Sequence, residues 1–453
     1  MMYDFDVIVI GAGPAGYELA TLLGEAGKQV CMVEKGESTV GGTCLNEGCI
    51  PAKNFLETAS YIKKEEYFKS CGVNHVQSSF DIGILQRSTN CLIQDLKVGI
   101  LNKLKKSKVK IEYDTGKFVD NHSVELQNQN KKITAQNIVI ASGSSHRDHP
   151  LLKLQDEAIV SSREVFTLTE IPTTILIIGG GAIGCEFASF FNALGTSVQI
   201  SEFAARLVAN EDEDVSRTLK REFEKKGMEI DLNANVTNYS VNENGVEVTI
   251  DTGKKVETKI FDKVLISIGR IPNTANLNLE NANIEHDRGF IEVNENLQCP
   301  NHDNIYAIGD VLKSPALAHV AYYEAKRVAQ HILEEEPLSN DYIFPSVTFS
   351  TPQIASIGKS EKVLKENAIK FKNKKLFFKT NAKAKIKGDD SGFIKVLYDE
   401  ETSLILGASI IGNDATELIH QFLIAINANL GLNDLEKMIF AHPTLSESSL
   451  DLI

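Results

Sequence analysis

The 453-residue chain has no apolar run as long as the roughly eighteen residues that a bilayer-spanning helix requires, so no membrane segment is expected. It is short of basic charge: 47 lysines and arginines stand against 61 aspartates and glutamates, a net −14. Nucleic acid is bound by basic faces, so it is not an expected partner, and the acidic surplus reads as solubility. Cysteine is sparse, seven residues in all, too few for a disulfide scaffold. The opening residues, with Tyr3-Asp4-Phe5-Asp6, lack the basic stretch and apolar core of a secretory signal. A cytoplasmic location is therefore expected, where a disulfide is more often catalytic than structural. No metal site is expected.

What is present is hydrophobic content of 42%, enough for large cores, in a length that suggests about three domains. An internal repeat organises the chain. Residues 6–10 read as a short apolar strand, followed by Gly11-Ala12-Gly13-Pro14-Ala15-Gly16, a helix over 17–25, and a second strand from Gln29 ending at Glu34. The order returns with a strand over 174–178, then Gly179-Gly180-Gly181-Ala182-Ile183-Gly184, a helix over 185–193, and a strand ending at Glu202. Gly179, Gly184, Gly195 and Glu202 each lie 168 positions after Gly11, Gly16, Gly27 and Glu34.

Strand, glycine turn, helix and a distant acidic residue form a dinucleotide-binding pattern, met here twice. The first glycine permits the tight turn, the second lets backbone approach a pyrophosphate, and the third lets helix and strand pack closely. The helix N-terminus then offers unpaired N–H groups to the phosphates. Carboxylates at Glu34 and Glu202 suit a ribose with a free 2′-hydroxyl and repel a 2′-phosphate, so NAD is expected rather than NADP. Arg206, four residues past Glu202, reads as a solvated charge. The competing reading, two glycine turns without ligands, has the full context of both repeats against it.

Between the repeats runs Gly41-Gly42-Thr43-Cys44-Leu45-Asn46-Glu47-Gly48-Cys49-Ile50-Pro51-Ala52-Lys53. On a regular helix, Cα atoms five residues apart are roughly 8.6 Å from one another, whereas a disulfide needs about 7 Å or less. A bridge between Cys44 and Cys49 therefore requires a break in the helix, and Gly48 supplies the freedom for one. Pro51 suits the first turn of a following helix. A short distorted bridge is readily reduced, as a bond made and broken in turnover must be. The alternative is two buried free thiols; glycines, Asn46 and Glu47 are not core composition. Cys31, Cys71, Cys91, Cys185 and Cys299 are isolated and take no role.

The segment Gly42-Thr43-Cys44-Leu45-Asn46 with Gly48-Cys49-Ile50-Pro51 and Lys53 resembles the redox motif of the pyridine nucleotide–disulfide oxidoreductases. So do Ile305-Tyr306-Ala307-Ile308-Gly309-Asp310, Leu317-Ala318-His319, Ile268-Gly269-Arg270 with Pro272-Asn273, and Ala441-His442-Pro443-Thr444-Leu445-Ser446-Glu447, so the resemblance covers nearly the whole chain. It implies an α/β fold of two Rossmann-like FAD- and NAD(P)-binding domains plus an α+β C-terminal dimerisation domain. The domains are expected at 1–145 (FAD), 146–270 (NAD), 271–340 (central, completing the FAD site) and 341–453 (interface of a homodimer). Together with the two turns, it assigns FAD to Gly11, Gly13, Gly16, Glu34, Lys35, Gly42, Thr43, Lys53, Gly116, Ser142, Gly143, Asp310, Leu317, Ala318 and His319. NAD falls to Gly179, Gly181, Ile183, Gly184, Glu186, Glu202, Gly269 and Arg270.

The roles that the resemblance implies are these. Electrons pass from a dithiol to a Cys44–Cys49 disulfide, then to FAD and on to NAD. Cys44 exchanges with substrate and Cys49 faces the flavin. His442 of one chain acts as general base at the disulfide of its partner, since an imidazole titrates near neutrality and only a thiolate attacks a disulfide. Glu447 orients that imidazole, and Lys53 pairs with Glu186 near the flavin ring. Among branches of the family, glutathione-type reductases use NADP, which Glu202 opposes, and mercuric reductases carry a C-terminal cysteine pair, whereas no cysteine follows Cys299. The dihydrolipoyl-oxidising branch fits best, with the lipoyl group expected on another protein, that of a 2-oxoacid dehydrogenase or glycine cleavage complex. The sequence departs from that branch at Glu47, at Ala52 and Asn54, and at Gln353, where lipoamide enzymes often carry glutamate. Two other expectations stand beside it: an NADH-dependent reductase of another disulfide or metal substrate, and a flavoprotein subunit with a structural role.

Overall fold

The computed structural model describes residues 3–73, 80–154 and 156–452. By their contacts they divide into two compact units, 1–52 with 83–147 and 270–342, and 53–82 with 148–269 and 343–453. Each gathers segments from more than one of the four expected domains.

The first unit is built on a parallel sheet. Strands Lys110–Tyr113, Val30–Glu34, Phe5–Ile10, Lys131–Ile140 and Ile305–Ala307 lie side by side in that order. Val7, Ile8 and Val9 are fully buried and so are Cys31 and Met32, as expected of strands covered on both faces. The start of Lys131–Ile140 continues into an antiparallel meander through Ser123–Leu126 and Gly116–Asp120. Helices Pro14–Glu25 and Ala318–Ile332 pack against each other in the same unit. The chain leaves this unit after Arg147 and returns at Arg270, where the strands Ser144–His146 and Arg270–Pro272 pair antiparallel.

The second unit repeats the parallel plan in strands Glu229–Leu232, Ser197–Glu202, Thr174–Ile178, Lys263–Ile266 and Ile159–Ser161. An antiparallel three-stranded sheet, Asn235–Asn242, Gly245–Asp251 and Val256–Phe261, adjoins it in sequence. Its C-terminal part is a five-stranded antiparallel sheet with helix Ala415–Asn427 packed on it. Ile394, Val396, Ile410, Ile419 and Phe422 form the buried layer between them.

Two features differ from the sequence reading. Both helices after the glycine turns begin three residues earlier than expected, at Pro14–Glu25 and Ala182–Ala193. The last glycine of each triad lies inside the helix, and proline at the first helical position needs no N–H there. Residues 53–82, placed with the FAD domain, group with the second unit instead. Aromatic packing accounts for this: the Phe55 ring lies 5.2 Å from Phe166 and 5.3 Å from Phe190, and the Tyr67 hydroxyl donates to Ile386 O at 2.9 Å.

Candidate active site

In the first unit the glycine turn is set by backbone crowding. Gly11 has φ +108°, and a Cβ on Gly16 would lie 1.9 Å from the Gly11 carbonyl oxygen. The following helix is capped by Gly13, whose lack of a side chain leaves the first N–H groups without a local acceptor. Glu34, at the end of the second strand, accepts from Ala12 N at 2.6 Å, Lys35 N at 2.9 Å and Thr39 Oγ1 at 2.7 Å. The turn reaches the cysteine segment directly: Gly41 N donates to Ala12 O at 2.8 Å, and a Cβ on Gly42 would fall 2.6 Å from Gly13 Cα.

The cysteines sit on two consecutive helices, not one. Gly42–Glu47 carries Thr43 and the half-buried Cys44; Cys49–Ser70 opens with the exposed Cys49 and has Pro51 in its first turn. Gly48 breaks the helix with φ −140° and ψ −112°, the departure from helical geometry that a bridge across these positions requires. Asn46 pins the short helix, donating to Val40 O at 3.0 Å and Gly42 O at 2.9 Å.

Three further residues converge in this unit. Ser144 Oγ donates to Asp310 Oδ2 at 2.5 Å and accepts from Arg270 Nε at 2.6 Å, with Arg270 3.8 Å from Asp310. Arg270, assigned to NAD from the sequence, thus lies in the first unit beside residues assigned to FAD. Burial lowers the pKa of its guanidinium, and the negative charge of Asp310, Cys49 and Glu47 opposes that shift. Ser142 and Gly143 are held by Asn273, which donates to Ser142 O and accepts from its hydroxyl through its own carbonyl. Leu317 caps the helix that starts with Ala318 and the exposed His319. Gly116 is buried where a Cβ would press on Val33 and Val124.

The second unit presents the parallel turn. Gly179 has φ +103°, a Cβ on Gly184 would lie 1.9 Å from Gly179 O, and Gly181 caps the helix without a side chain. Glu202 accepts from Gly180 N at 2.5 Å and Ala204 N at 2.6 Å. Gly181 and Ile183 lie at the helix start, and Gly269, with φ +104°, ends the segment 148–269 of this unit. Arg206 is not simply solvated: it donates to Ala209 O at 2.6 Å and pairs with Glu213 at 3.2 Å.

Two pairs expected from the sequence form in this unit. Lys53 Nζ reaches both oxygens of buried Glu186 at 3.0 Å, and Glu186 also accepts from Phe349 N at 2.9 Å. His442 Nδ1 meets Glu447 Oε2 at 2.9 Å, while Thr444 N donates to Glu447 Oε1 at 3.2 Å, so the carboxylate is fixed from both sides. The imidazole is largely exposed, its side chain 73% accessible. A ring held at Nδ1 leaves Nε2 for proton transfer.

Sequence reasoning missed two features of the first unit. Tyr17 and Tyr322 join hydroxyl to hydroxyl across 305 positions of chain. Glu324 is buried and accepts from Gly309 N at 2.6 Å; burial, with a smaller push from Asp310, raises its carboxyl to about 7. An acidic residue five positions after His319 on an apolar helix face was the available signal for the second. Nothing local marked the first.

The residues fit a dinucleotide at each turn: a cradle with no room for side chains, an uncapped helix start, and a carboxylate at the second strand's end. The profile of the family described as pyridine nucleotide-disulphide oxidoreductase matches residues 5–325, and that of its dimerisation domain matches 344–452. The chain belongs to this family of enzymes, which use FAD and NAD(H) in disulfide redox chemistry. It is 35% identical to dihydrolipoyl dehydrogenase of Geobacillus stearothermophilus over 99% of this chain and 95% of that one. It is 33% identical to the mitochondrial dihydrolipoyl dehydrogenase of Pisum sativum, over 98% and 89%. Among solved structures it is similar to the HOCl-induced flavoprotein disulfide reductase RclA from Escherichia coli, with a TM-score of 0.89, 29% identity and 99% of each chain covered. Among the described residues no helix is long and apolar enough to cross a membrane, and no group of side chains is arranged to hold a metal ion.

Proposed function

We infer that the chain is a dihydrolipoyl dehydrogenase: it oxidises protein-bound dihydrolipoyl groups and reduces NAD+ to NADH through a Cys44–Cys49 disulfide. The observation that carries this reading is the helix broken at Gly48, with a cysteine on either side, seated on the first dinucleotide turn. FAD, when bound, supplies the two-electron relay between sulfur and nicotinamide. Gly11, Gly13, Gly16, Glu34, Gly42, Thr43 and Asp310 would hold it, and Gly179, Gly181, Gly184 and Glu202 would hold NAD.

The chain's own residues then divide the work. A substrate thiolate attacks Cys44 Sγ, the Cys44–Cys49 bond breaks, and its electron pair goes to Cys49 Sγ. The second substrate thiol displaces Cys44, closing the substrate disulfide and leaving both cysteines reduced. His442 takes the thiol proton at Nε2, and Glu447 holds the ring for that step. In a homodimer joined through residues 344–452, His442 serves the cysteines of the other chain. The lipoyl group would arrive on a protein of a 2-oxoacid dehydrogenase or glycine cleavage complex.

NADH formation from dihydrolipoamide and NAD+ by the purified, flavin-containing protein tests the reading. The substitution His442→Gln should lower that rate by about 10²-fold or more while NADH still reduces the flavin. Unchanged dithiol turnover would remove His442 from the scheme. The likeness to RclA, a disulfide reductase also solved as a Cu(II) complex, favours a second reading, an NADH-dependent reductase of a different disulfide, with a metal substrate beside it. NADH oxidation with glutathione disulfide, coenzyme A disulfide or cupric ion, and none with lipoamide, would establish it instead.

A further inference from the structure

The middle glycine of the second turn is covered by the segment that follows Glu202. Val208 N donates to Gly180 O at 2.8 Å, and a Cβ on Gly180 would lie 2.4 Å from Leu207 Cδ2 and 3.2 Å from Glu202 Oε2. Leu207 and Val208 are both buried. Val208 holds φ at +41°, a backbone state that a β-branched residue keeps only under constraint. The constraint comes from farther along the chain. Glu211 N donates to Val208 O at 2.8 Å, and Glu211 Oε1 accepts from Ser346 Oγ at 3.0 Å. Asp212, the next residue, caps the helix Glu213–Lys225 through Asp214 N and also meets Lys395 Nζ at 2.8 Å. Lys395 stands on strand Phe393–Asp399 of the C-terminal sheet, its side chain only 6% exposed. It reaches Asp214 at 3.2 Å and Glu361 at 2.7 Å as well. An ammonium has three N–H donors, and three carboxylates surround this one. Burial works against its charge, but the carboxylates of Asp212 and Glu361 outweigh burial, so the charge is kept.

We propose that Lys395 is a positioning residue for NAD: by fixing Asp212 and Asp214 it holds Leu207 and Val208 over the Gly180 turn, and so keeps that turn and Glu202 in the shape that receives the dinucleotide. The inference rests on the reading of the second turn as the NAD site and deepens it. Lys395 acts only through these residues. Its loss leaves buried carboxylates uncompensated, and they relieve the strain by moving apart. Asp214 and Glu361 keep other cations: Lys375 at 2.8 Å and Arg217 at 3.3 Å for the first, Lys365 at 2.9 Å for the second. Among the described residues Lys395 is the cation paired with Asp212, so the helix start is the part released most. The segment 203–211 then leaves its place for part of the time, and strained Val208 has a reason to do so. Apparent affinity for the nucleotide falls with the fraction of molecules ready to bind, whereas the rate once NADH is bound does not. The signature is a change in KM with kcat preserved.

The test compares Lys395→Met and Lys395→Arg with wild type as purified flavoproteins. Turnover with NADH gives KM and kcat, and amide hydrogen exchange read by mass spectrometry reports the opening of residues 203–211 without nucleotide. In Lys395→Met the KM for NADH should rise about tenfold, with kcat within about twofold, as when the segment is in place about a tenth of the time. Exchange across 203–211 should quicken in parallel. Lys395→Arg keeps the charge and should lie nearer wild type in both readings. Should Lys395→Met fail to fold or to hold flavin, Asp212→Asn, which keeps an oxygen for the helix cap, should raise the KM about threefold by the same route. A KM unchanged in the folded variant, or raised with exchange at 203–211 unchanged, overturns the positioning role and leaves the NAD site standing. Failure of NADH to reduce the wild-type flavin overturns the NAD site and the positioning role with it.

Discussion

The two dinucleotide turns are the same to within a few tenths of an ångström in their tightest contacts, yet they lead to different chemistry. Gly16 and Gly184 each leave 1.9 Å between a would-be Cβ and the carbonyl of the first glycine. Gly11 N donates to Val33 O at 2.8 Å and Gly179 N to Ser201 O at 2.9 Å. The repeats part at the next bond. The Ala12 carbonyl accepts from Gly41, which leads into the cysteine helices; its counterpart at Gly180 accepts from Val208, which leads to a helix, Glu213–Lys225, capped by Asp212. Equivalent helix positions have diverged as well. Tyr17, in the hydroxyl pair, corresponds to Cys185, a buried thiol bonded to Gly180 O whose pKa burial raises. Glu18 pairs with Lys103 near a cleft, while Glu186 is buried against Lys53. On the proposed reading one scaffold would bind a dinucleotide twice, with the redox sulfur carried on the first copy.

The comparison breaks most sharply at the crowded glycines. Gly16→Val should abolish flavin binding and with it all activity. Gly184→Val should leave the flavin bound and abolish only its reduction by NADH, because no backbone can vacate a 1.9 Å approach. Absorbance spectra of the two purified variants distinguish these outcomes, and equal loss of flavin from both would end the assignment of separate ligands.

A smaller effect sharpens the choice of nicotinamide. Glu202→Ala removes a carboxylate acceptor for a ribose hydroxyl and should raise the KM for NADH about tenfold, with NADPH gaining relative to NADH. Arg206→Ala should change either constant less than about twofold, since its guanidinium is spent on Ala209 and Glu213. Steady-state kinetics with both nucleotides measures both.

The smallest effect concerns Glu324, under the first turn. Its folded carboxyl titrates at about 7 against an ordinary 4.5, so the folded state holds the proton more tightly than the unfolded one. That contribution, on the order of 3 kcal/mol, is present below about pH 4.5 and is lost as pH rises through 7. Denaturant unfolding from about pH 5 to about pH 8.5 should show the wild type losing more stability than Glu324→Gln. Parallel curves would place the proton elsewhere.

Much of this was legible in sequence because it is local. The duplicated turn, its carboxylate and the need for a break at Gly48 follow from spacing and backbone sterics alone. The Lys53–Glu186 and His442–Glu447 pairs were readable by resemblance. What escaped depends on contacts between distant segments. Tyr17 and Tyr322 are polar residues on separate helices and show no mutual signal. Arg270 ends up with Ser144 and Asp310 because two short strands pair where the chain re-enters the first unit. Residues 53–82 belong with the second unit through Phe55, whose ring partners Phe166 and Phe190 lie more than a hundred positions away.

The most direct test counts thiols. Protein denatured anaerobically as isolated and again after NADH should differ by two titratable thiols, both mapping to Cys44 and Cys49 by mass spectrometry. A flavin bleached by NADH with no new thiol at those positions would contradict the account.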